Sequence, residues 1–342
     1  MIPAPSDPAP DPAPSDPALS DPAPSEPALS KTAPNDTAPS DTAPCDTVVS
    51  DTVVSDTRPR IGIALGGGSA RGYAHIGVLA TLEQHGLAPD LVAGTSFGAV
   101  IGALYASGRS VSQMRHDASV MRRRHLLPQL DFGLHRAALF EGRRLERYLE
   151  GLTEGRHFED LKTPLIVVTT DVDTGERVLL RSGPLARALR ASVAMPGVFW
   201  PVEVDGRRLV DGGIGTPIPL DTLAALDVDI RVGIGAGMMS GDSPAIQLAQ
   251  RLVQTPVGRR LHRALADSSQ RNPVASLGRA LAFTVDSWNC PEAPLDTLQV
   301  HTRPPISWLN FNRAEAAIRA GEEAMVRFMP RLRVALADFE AA

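Results

Sequence analysis

The chain changes character at Arg58, and that break limits which part of it can build a core. From Met1 to Thr57 the sequence cycles with a five-residue period, as in Asp16-Pro17-Ala18-Leu19-Ser20, Asp36-Thr37-Ala38-Pro39-Ser40 and Asp51-Thr52-Val53-Val54-Ser55, and it holds no aromatic residue. Proline, serine and aspartate at this density bring too little apolar surface to offset the entropy of ordering a backbone. Residues 1–58 are therefore expected to be a disordered, polyproline-leaning tail rich in Pro, Ser, Asp, Ala and Thr. The period is also too short for a solenoid repeat. Residues 59–342 are expected to form the folded domain.

Charge follows the same boundary. Up to Arg58 there are nine Asp and one Glu against Lys31 and Arg58, a net of −8; the chain total of 34 basic and 39 acidic residues then leaves 32 and 29, a net of +3, on the remainder. The acidity of the whole belongs to the tail and does not describe the substrate of the domain. The N-terminus has neither a basic cluster nor an apolar run of seven, so no secretory signal is expected. No run of eighteen apolar residues occurs, so no spanning helix is expected either. Cys45 and Cys290 offer no disulfide framework and no metal-ligand spacing, and the expected setting is cytoplasmic, soluble or peripheral at a membrane.

Beyond the break the pattern alternates. Arg60 to Leu65 is a short apolar run between Pro59 and a glycine cluster, which predicts a buried parallel strand. A helix is predicted from Ala70 to His85, ending at Gly86, then a strand from Leu91 to Ala93 and a helix from Ala99 to Ala106. Further strands are predicted at Leu165–Thr170, Arg177–Arg181, Arg208–Val210 and Val228–Ile234, and helices at Leu185–Ala194, Ala245–Ala266, Ala275–Ser287 and Arg313–Phe339. Alternating strands and helices with short links predict an α/β fold, a three-layer α/β/α arrangement with a mostly parallel central sheet. Ligands of such sheets sit at the carboxyl ends of the strands.

Three clusters fall at such ends. Gly94-Thr95-Ser96-Phe97-Gly98 is Gly-x-Ser-x-Gly between a predicted strand and a predicted helix. A serine on that sharp turn exposes its hydroxyl, and only small neighbours tolerate the close approach of strand and helix. Gly66-Gly67-Gly68-Ser69-Ala70-Arg71-Gly72 follows the first strand, and a glycine-rich turn there can gather several backbone N–H groups around an oxyanion. Asp211-Gly212-Gly213 ends another strand; a buried carboxylate within reach of a serine hydroxyl can accept its proton if desolvation raises its pKa.

Competing readings exist for each. The glycine turn resembles a loose dinucleotide-binding turn, with Asp90 as the ribose ligand, but its sixth position is Arg71 and Asp90 precedes its strand. No Gly-Lys-Ser/Thr follows, which excludes a P-loop. An ordinary triad in the order serine, acid, histidine could use His262 or His301, of which His301, after the strand-like Leu298 to Val300, is the better placed. A catalytically silent scaffold whose tail recruits partners is the remaining alternative.

Taken together, the three clusters resemble the patatin-like phospholipase family, in the compact bacterial branch similar to the catalytic domain of neuropathy target esterase. Gly66 to Gly72, Gly94 to Gly98 and Asp211 to Gly213 stand in the family's order, and Ser192-Val193-Ala194-Met195-Pro196-Gly197-Val198-Phe199-Trp200-Pro201 is similar to the family's segment before the aspartate strand. The resemblance runs from about Pro59 to Pro219, with a weaker echo at Ala314 to Ala324. It implies an ester hydrolase acting on phospholipids or lysophospholipids through a Ser96–Asp211 dyad and an acyl-enzyme. The amides of Gly66, Gly67 and Gly68 would form the oxyanion hole, supported by Arg71, Gly72, Gly94, Gly98, Gly212 and Gly213. Arg71 would orient the glycine loop or a phosphate head group, or pair with an acid. No cofactor or metal is implied, nor a nucleic-acid partner. One departure is Thr216, where many relatives have asparagine, ahead of Pro217-Ile218-Pro219. Val111 to Arg147 mixes basic and apolar residues and could cover the site; Arg122 to Arg124 beside Leu126 and Leu127, and Trp200, could touch an anionic membrane, although a solvated helix face is the more common explanation of such a run.

Overall fold

A computed structural model describes residues 58–120, 127–131, 138–237, 255–256, 260, 298–307 and 309–341. The chain divides into the units Met1–Ser55 and Asp56–Ala342, and the described residues all belong to the second. All of the expected tail but Arg58, together with Arg122 to Arg124 and His262, lies outside the described residues, as do all but a few positions of the helices predicted at 245–266 and 275–287.

The elements alternate as the pattern predicts. Strand β1 (Ile61–Leu65) leads through the glycine turn into α1 (Ala74–Gln84), β2 (Leu91–Thr95) and α2 (Phe97–Ala106). After α3 (Val111–Val120), β3 (Ala138–Phe140) and α4 (Arg143–Leu152) come β4 (Leu165–Asp171), β5 (Arg177–Leu180) and α5 (Leu185–Ser192). Then follow β6 (Gly197–Phe199), β7 (Val202–Val204), β8 (Arg207–Asp211), β9 (Ile230–Gly235), β10 (Leu298–His301) and the long α6 (Ala314–Glu340). The first helix departs from expectation: Ser69–Tyr73 is a 3₁₀ turn, and α1 starts only at Ala74. The glycine turn reverses the chain too tightly for a regular first turn, with Ser69 held at φ 50°.

Eight strands form the main sheet, in the order β10-β9-β1-β2-β4-β8-β7 with β5 also on β4. The five from β10 to β4 are parallel, and β1, β2 and β4 among them are buried along their whole length, as short apolar runs predict. β4 has three partners: β2 along 165–168, β8 along 169–171 and β5 along 167–170. Because β5 overlaps the stretches used by both others, it occupies the opposite edge of β4. β2 and β8 therefore share one edge and meet there with their carboxyl ends facing: Val168 of β4 pairs with Thr95 and the next residue, Thr169, with Asp211. No pattern in the chain predicts this antiparallel arrival, since β8 reads locally like any other short strand.

One face of the sheet packs Ile61, Ile63 and Leu65 against α1, α2 and α6 in the main core. α2 is buried on nearly all sides, which suits its almost wholly apolar sequence. The other face, carrying Ala64, Ala93 and Val168, packs on Leu223 and Val228 with Ile218 and Leu220 beside them. Among the described residues a 3₁₀ turn (Asp221–Ala225) and irregular chain supply these contacts.

The segment that could cover the site is α3, β3 and α4 in its described parts. β3 pairs in parallel with β6, setting Phe140 beside Phe199. The buried Arg190 of α5 ties this ribbon down: its Nε donates to Gly142 O at 3.0 Å, one terminal nitrogen to Glu141 O and Trp200 O at 2.7 and 3.0 Å, and its guanidinium lies 5.0 Å from the Phe199 ring.

α1 and α6 cross with glycine facing backbone. A Cβ on Gly321 would collide with Ala74 O, and one on Gly77 with Ile318 O. Gly321→Ala gains helix propensity of about 1 kcal/mol, but a methyl group here must push two core helices apart. Urea denaturation is expected to show a net loss of about 1–3 kcal/mol; an unchanged or higher midpoint would mean that the crossing is looser than described.

Candidate active site

Ser96 follows β2 at the point where its ladder with β4 ends. It sits at φ 53°, ψ −128°, an uncommon conformation for a residue with a side chain, and acts as the N-cap of α2 without a side-chain capping bond. The surroundings enforce the strain. A Cβ on Gly98 would collide with Leu65 O, and one on Gly94 would stand 2.5 Å from the Cα of Ala99, so both outer glycines of the motif are needed for the turn to close. Gly72 is similarly bound, since a Cβ there would meet the Phe97 ring at 2.7 Å.

The consequence of the head-on strands appears in the side chains. Ser96 Oγ donates to Asp211 Oδ2 at 2.7 Å, and the other oxygen, Oδ1, accepts the Gly213 amide at 2.8 Å. Ser96 is 7% exposed and Asp211 5%. Burial pushes the Asp211 carboxyl up to about 6, against the opposing hydrogen bonds from Ser96 and Gly213. Gly212 lets the chain pass directly over β4, because any side chain there would collide with Val168 O. The N-terminal end of α2 adds a positive partial charge beside the hydroxyl.

Ser192, the last residue of α5, is part of this arrangement, and the sequence reading placed it only within a family-like segment. Its Oγ accepts the Ser96 amide at 2.8 Å and donates to Val168 O at 2.7 Å, so it holds the strained elbow against β4. Two residues on, Ala194 O accepts the Asp211 amide at 3.0 Å. A serine at a helix end carries no sequence signal for such a role.

The glycine loop corrects one expectation. The amide of Gly66 donates to Ile234 O at 2.9 Å and that of Gly67 to Pro217 O at 3.1 Å. Gly66 still belongs to the ladder between β1 and β9, and the sheet consumes its donor before the turn begins. Of the three amides expected to serve an oxyanion, only that of Gly68 has no acceptor among the described residues. Among the described residues Arg71 pairs with no acid; its Nε donates to Ile306 O at 3.0 Å and a terminal nitrogen to Gly237 O at 2.5 Å, fastening the loop to chain that follows β10 and β9. Thr216, at the departure from the family pattern, uses backbone groups: its amide donates to Gly212 O at 2.8 Å and its carbonyl accepts Thr95 Oγ1 at 3.2 Å.

Among the described residues neither competing site is assembled. His301 ends β10, an outer strand of the sheet order, and hydrogen-bonds neither Ser96 nor Asp211. Asp90 accepts two bonds from Arg58, at 2.5 and 3.0 Å, and the Ile61 amide at 2.8 Å, which makes it a structural anchor for the start of β1. Among the described residues no group of three His, Cys, Asp or Glu is placed to hold a metal.

The site thus sets a serine in a strained strand-to-helix turn beside a desolvated aspartate, at the carboxyl ends of strands in an α/β sheet. Residues 63–224 match the family model described as patatin-like phospholipase. An uncharacterized NTE family protein of Mycobacterium tuberculosis is 39% identical over 176 residues, covering 52% of this chain and 49% of that protein. Patatin-like phospholipase domain-containing protein 6 of Homo sapiens is 36% identical over 182 residues, covering 52% of this chain and 13% of its own length. This chain thus spans about half of the bacterial relative and a small part of the human one. Among solved structures, VipD from Legionella pneumophila aligns with a TM-score of 0.44 and 14% identity, over 83% of this chain and 67% of that one.

A raised carboxyl pKa has a stability consequence with a definite sign. With the Asp211 pKa near 6 when folded and about 3.9 when unfolded, the folded state holds the proton more tightly. Its contribution is fully present below about pH 4 and is lost as pH rises through 6. Asp211→Asn, which cannot ionise, is therefore expected to unfold at higher temperature than wild type at pH 8, by an amount bounded by about 3 kcal/mol. The difference should shrink toward pH 4 in thermal unfolding followed by circular dichroism; a gap independent of pH would refute the assignment.

Proposed function

We propose that this chain is a serine lipid-acyl hydrolase that cleaves carboxylic ester bonds of phospholipids or lysophospholipids, with Ser96 as nucleophile and Asp211 as its base. The observation that carries this reading is the 2.7 Å hydrogen bond from Ser96 Oγ to a buried carboxylate whose pKa stands at about 6. A carboxylate of that basicity, in direct contact with a hydroxyl, serves as general base near neutral pH without a histidine between them.

Ser96 Oγ attacks the ester carbonyl while its proton passes to Asp211 Oδ2. The tetrahedral oxyanion is held by the amide of Gly68 and by that of Phe97, the residue after the nucleophile, which as the first residue of α2 has no acceptor among the described residues. Collapse expels the alcohol, which leaves with the proton from Asp211, and Ser96 remains acylated. Water then attacks the acyl-enzyme, giving its proton to Asp211, and release of the fatty acid returns that proton to Ser96.

The hydrolase domain of this reading is residues 59–342, with the preceding residues as a separate tail. Its substrate is a lipid or acyl ester met from the cytoplasmic side, with peripheral contact at the inner membrane face. Leu139, 58% exposed on the β3–β6 ribbon, and Trp200 at its end are suited to that contact. No described helix is long and apolar enough to cross a membrane.

Hydrolysis of a medium-chain p-nitrophenyl ester and of a phospholipid tests the assignment. Ser96→Ala and Asp211→Asn are each expected to lower kcat by about 10³-fold or more, while His301→Ala stays near wild type. An equally inactive His301→Ala would indicate a triad instead. The wild-type kcat/KM should rise with pH through about 6, as Asp211 loses its proton.

A further inference from the structure

One buried polar group has no place in the mechanism above. His75, in the first turn of α1, has no exposed surface, and its Nε2 lies 2.8 Å from Gly66 O. A carbonyl can only accept, so Nε2 carries the proton and the neutral ring leaves Nδ1 bare. Nδ1 is buried with no hydrogen-bond partner. Burial lowers the pKa to about 4, so the ring stays neutral wherever Asp211 can act as a base.

A histidine used only as filler is a poor choice for such a position. A core of leucine or methionine leaves no nitrogen unsatisfied, whereas this ring keeps one desolvated and unpaired. What it holds in return is the carbonyl end of the Gly66–Gly67 peptide. The amide end of the same peptide donates to Pro217 O, on the chain that follows Asp211-Gly212-Gly213. A Cβ on Gly98, in the nucleophile motif, would approach Gly66 O to 2.5 Å, so the carbonyl that His75 grips also lies against the serine elbow. The glycine loop, the nucleophile turn and the aspartate loop thus converge on one peptide plane, and His75 is its only side-chain hydrogen bond among the described residues.

We propose that His75 is a positioning residue for the oxyanion site: by fixing the Gly66–Gly67 peptide it sets the direction in which the next amide, that of Gly68, points. This rests on the hydrolase reading given above. With the carbonyl released, the plane can rotate about the flexible glycine backbone, and the Gly68 amide loses its alignment with the developing charge. Binding of the ground-state ester is largely unaffected, because the loss is confined to the transition state.

The test compares His75→Met, of similar bulk without a donor, with His75→Gln, whose side-chain N–H can reach the same carbonyl. Two rates are measured: hydrolysis of a p-nitrophenyl ester, and phosphonylation of Ser96 by an alkyl fluorophosphonate, which also builds negative charge on an oxygen. His75→Met is expected to lower kcat about 10–100-fold with KM within about twofold, and to slow labelling by a similar factor. His75→Gln should recover both rates to within about threefold of wild type. The proposal is overturned if His75→Met keeps wild-type kcat, if its loss lies in KM, or if a stably folded His75→Gln is as slow as the methionine variant. Where His75→Met fails to fold, His75→Gln compared with wild type decides alone, and a loss of more than tenfold in a folded His75→Gln overturns the proposal. A wild-type protein that neither hydrolyses the ester nor labels removes the hydrolase reading itself; an active wild type with an unaffected methionine variant removes only the role of His75.

Discussion

Two strands meeting end to end along one edge of β4 govern the rest of the site. β2 delivers Thr95 to Val168 from one direction and β8 delivers Asp211 to Thr169 from the other, so the residue after one strand and the last residue of the other are forced into contact. The 2.7 Å hydrogen bond between Ser96 and Asp211 follows from that register. Its chemical value follows from burial, since a carboxylate in water at its ordinary pKa would be a weak base toward a hydroxyl. Both halves depend on β4, a strand buried along its whole length that contributes no chemical group of its own.

The small residues around this junction are consequences of its tightness. Gly94, Gly98 and Gly212 each occupy a position where a side chain would approach backbone atoms to 2.3–2.5 Å, well inside van der Waals contact. Backbone atoms cannot yield as a flexible side chain can, so these three positions tolerate only glycine. The strain at Ser96 is balanced by specific bonds, chiefly Ser192 on the Ser96 amide and on Val168 O. Arg71 and His75 perform the equivalent task for the glycine loop, both by donating to backbone carbonyls. The site is thus a set of strained turns pinned from outside by polar side chains that do not touch the reacting atoms.

Legibility in the sequence varied with how local the cause was. The buried strands β1, β2 and β4 were readable because a short apolar run between turn residues has few other solutions in an α/β chain. The glycine-flanked turns at Ser96 and Asp211 were readable because their composition reflects a local steric need. β3, β6 and β7 went unread: three residues each is too short for a period, and the pairing of β3 with β6 depends on a partner far along the chain. The oxyanion loop was read too generously for a related reason. Gly66 and Gly67 look alike in the chain, but neighbouring chain at Ile234 and Pro217 takes their amides and leaves that of Gly68.

By itself the sequence determined which residues are able to do chemistry and which turns must be tight, because a glycine requirement and an apolar run are properties of a few adjacent residues. Tertiary structure decided the rest: that β8 arrives antiparallel, that His301 stays at an outer strand while Asp211 reaches the serine, and that Ser192 and His75 brace the two loops. Those outcomes depend on register and burial between segments separated by up to more than a hundred residues, and a carboxyl pKa near 6 exists only once the surrounding chain has excluded water.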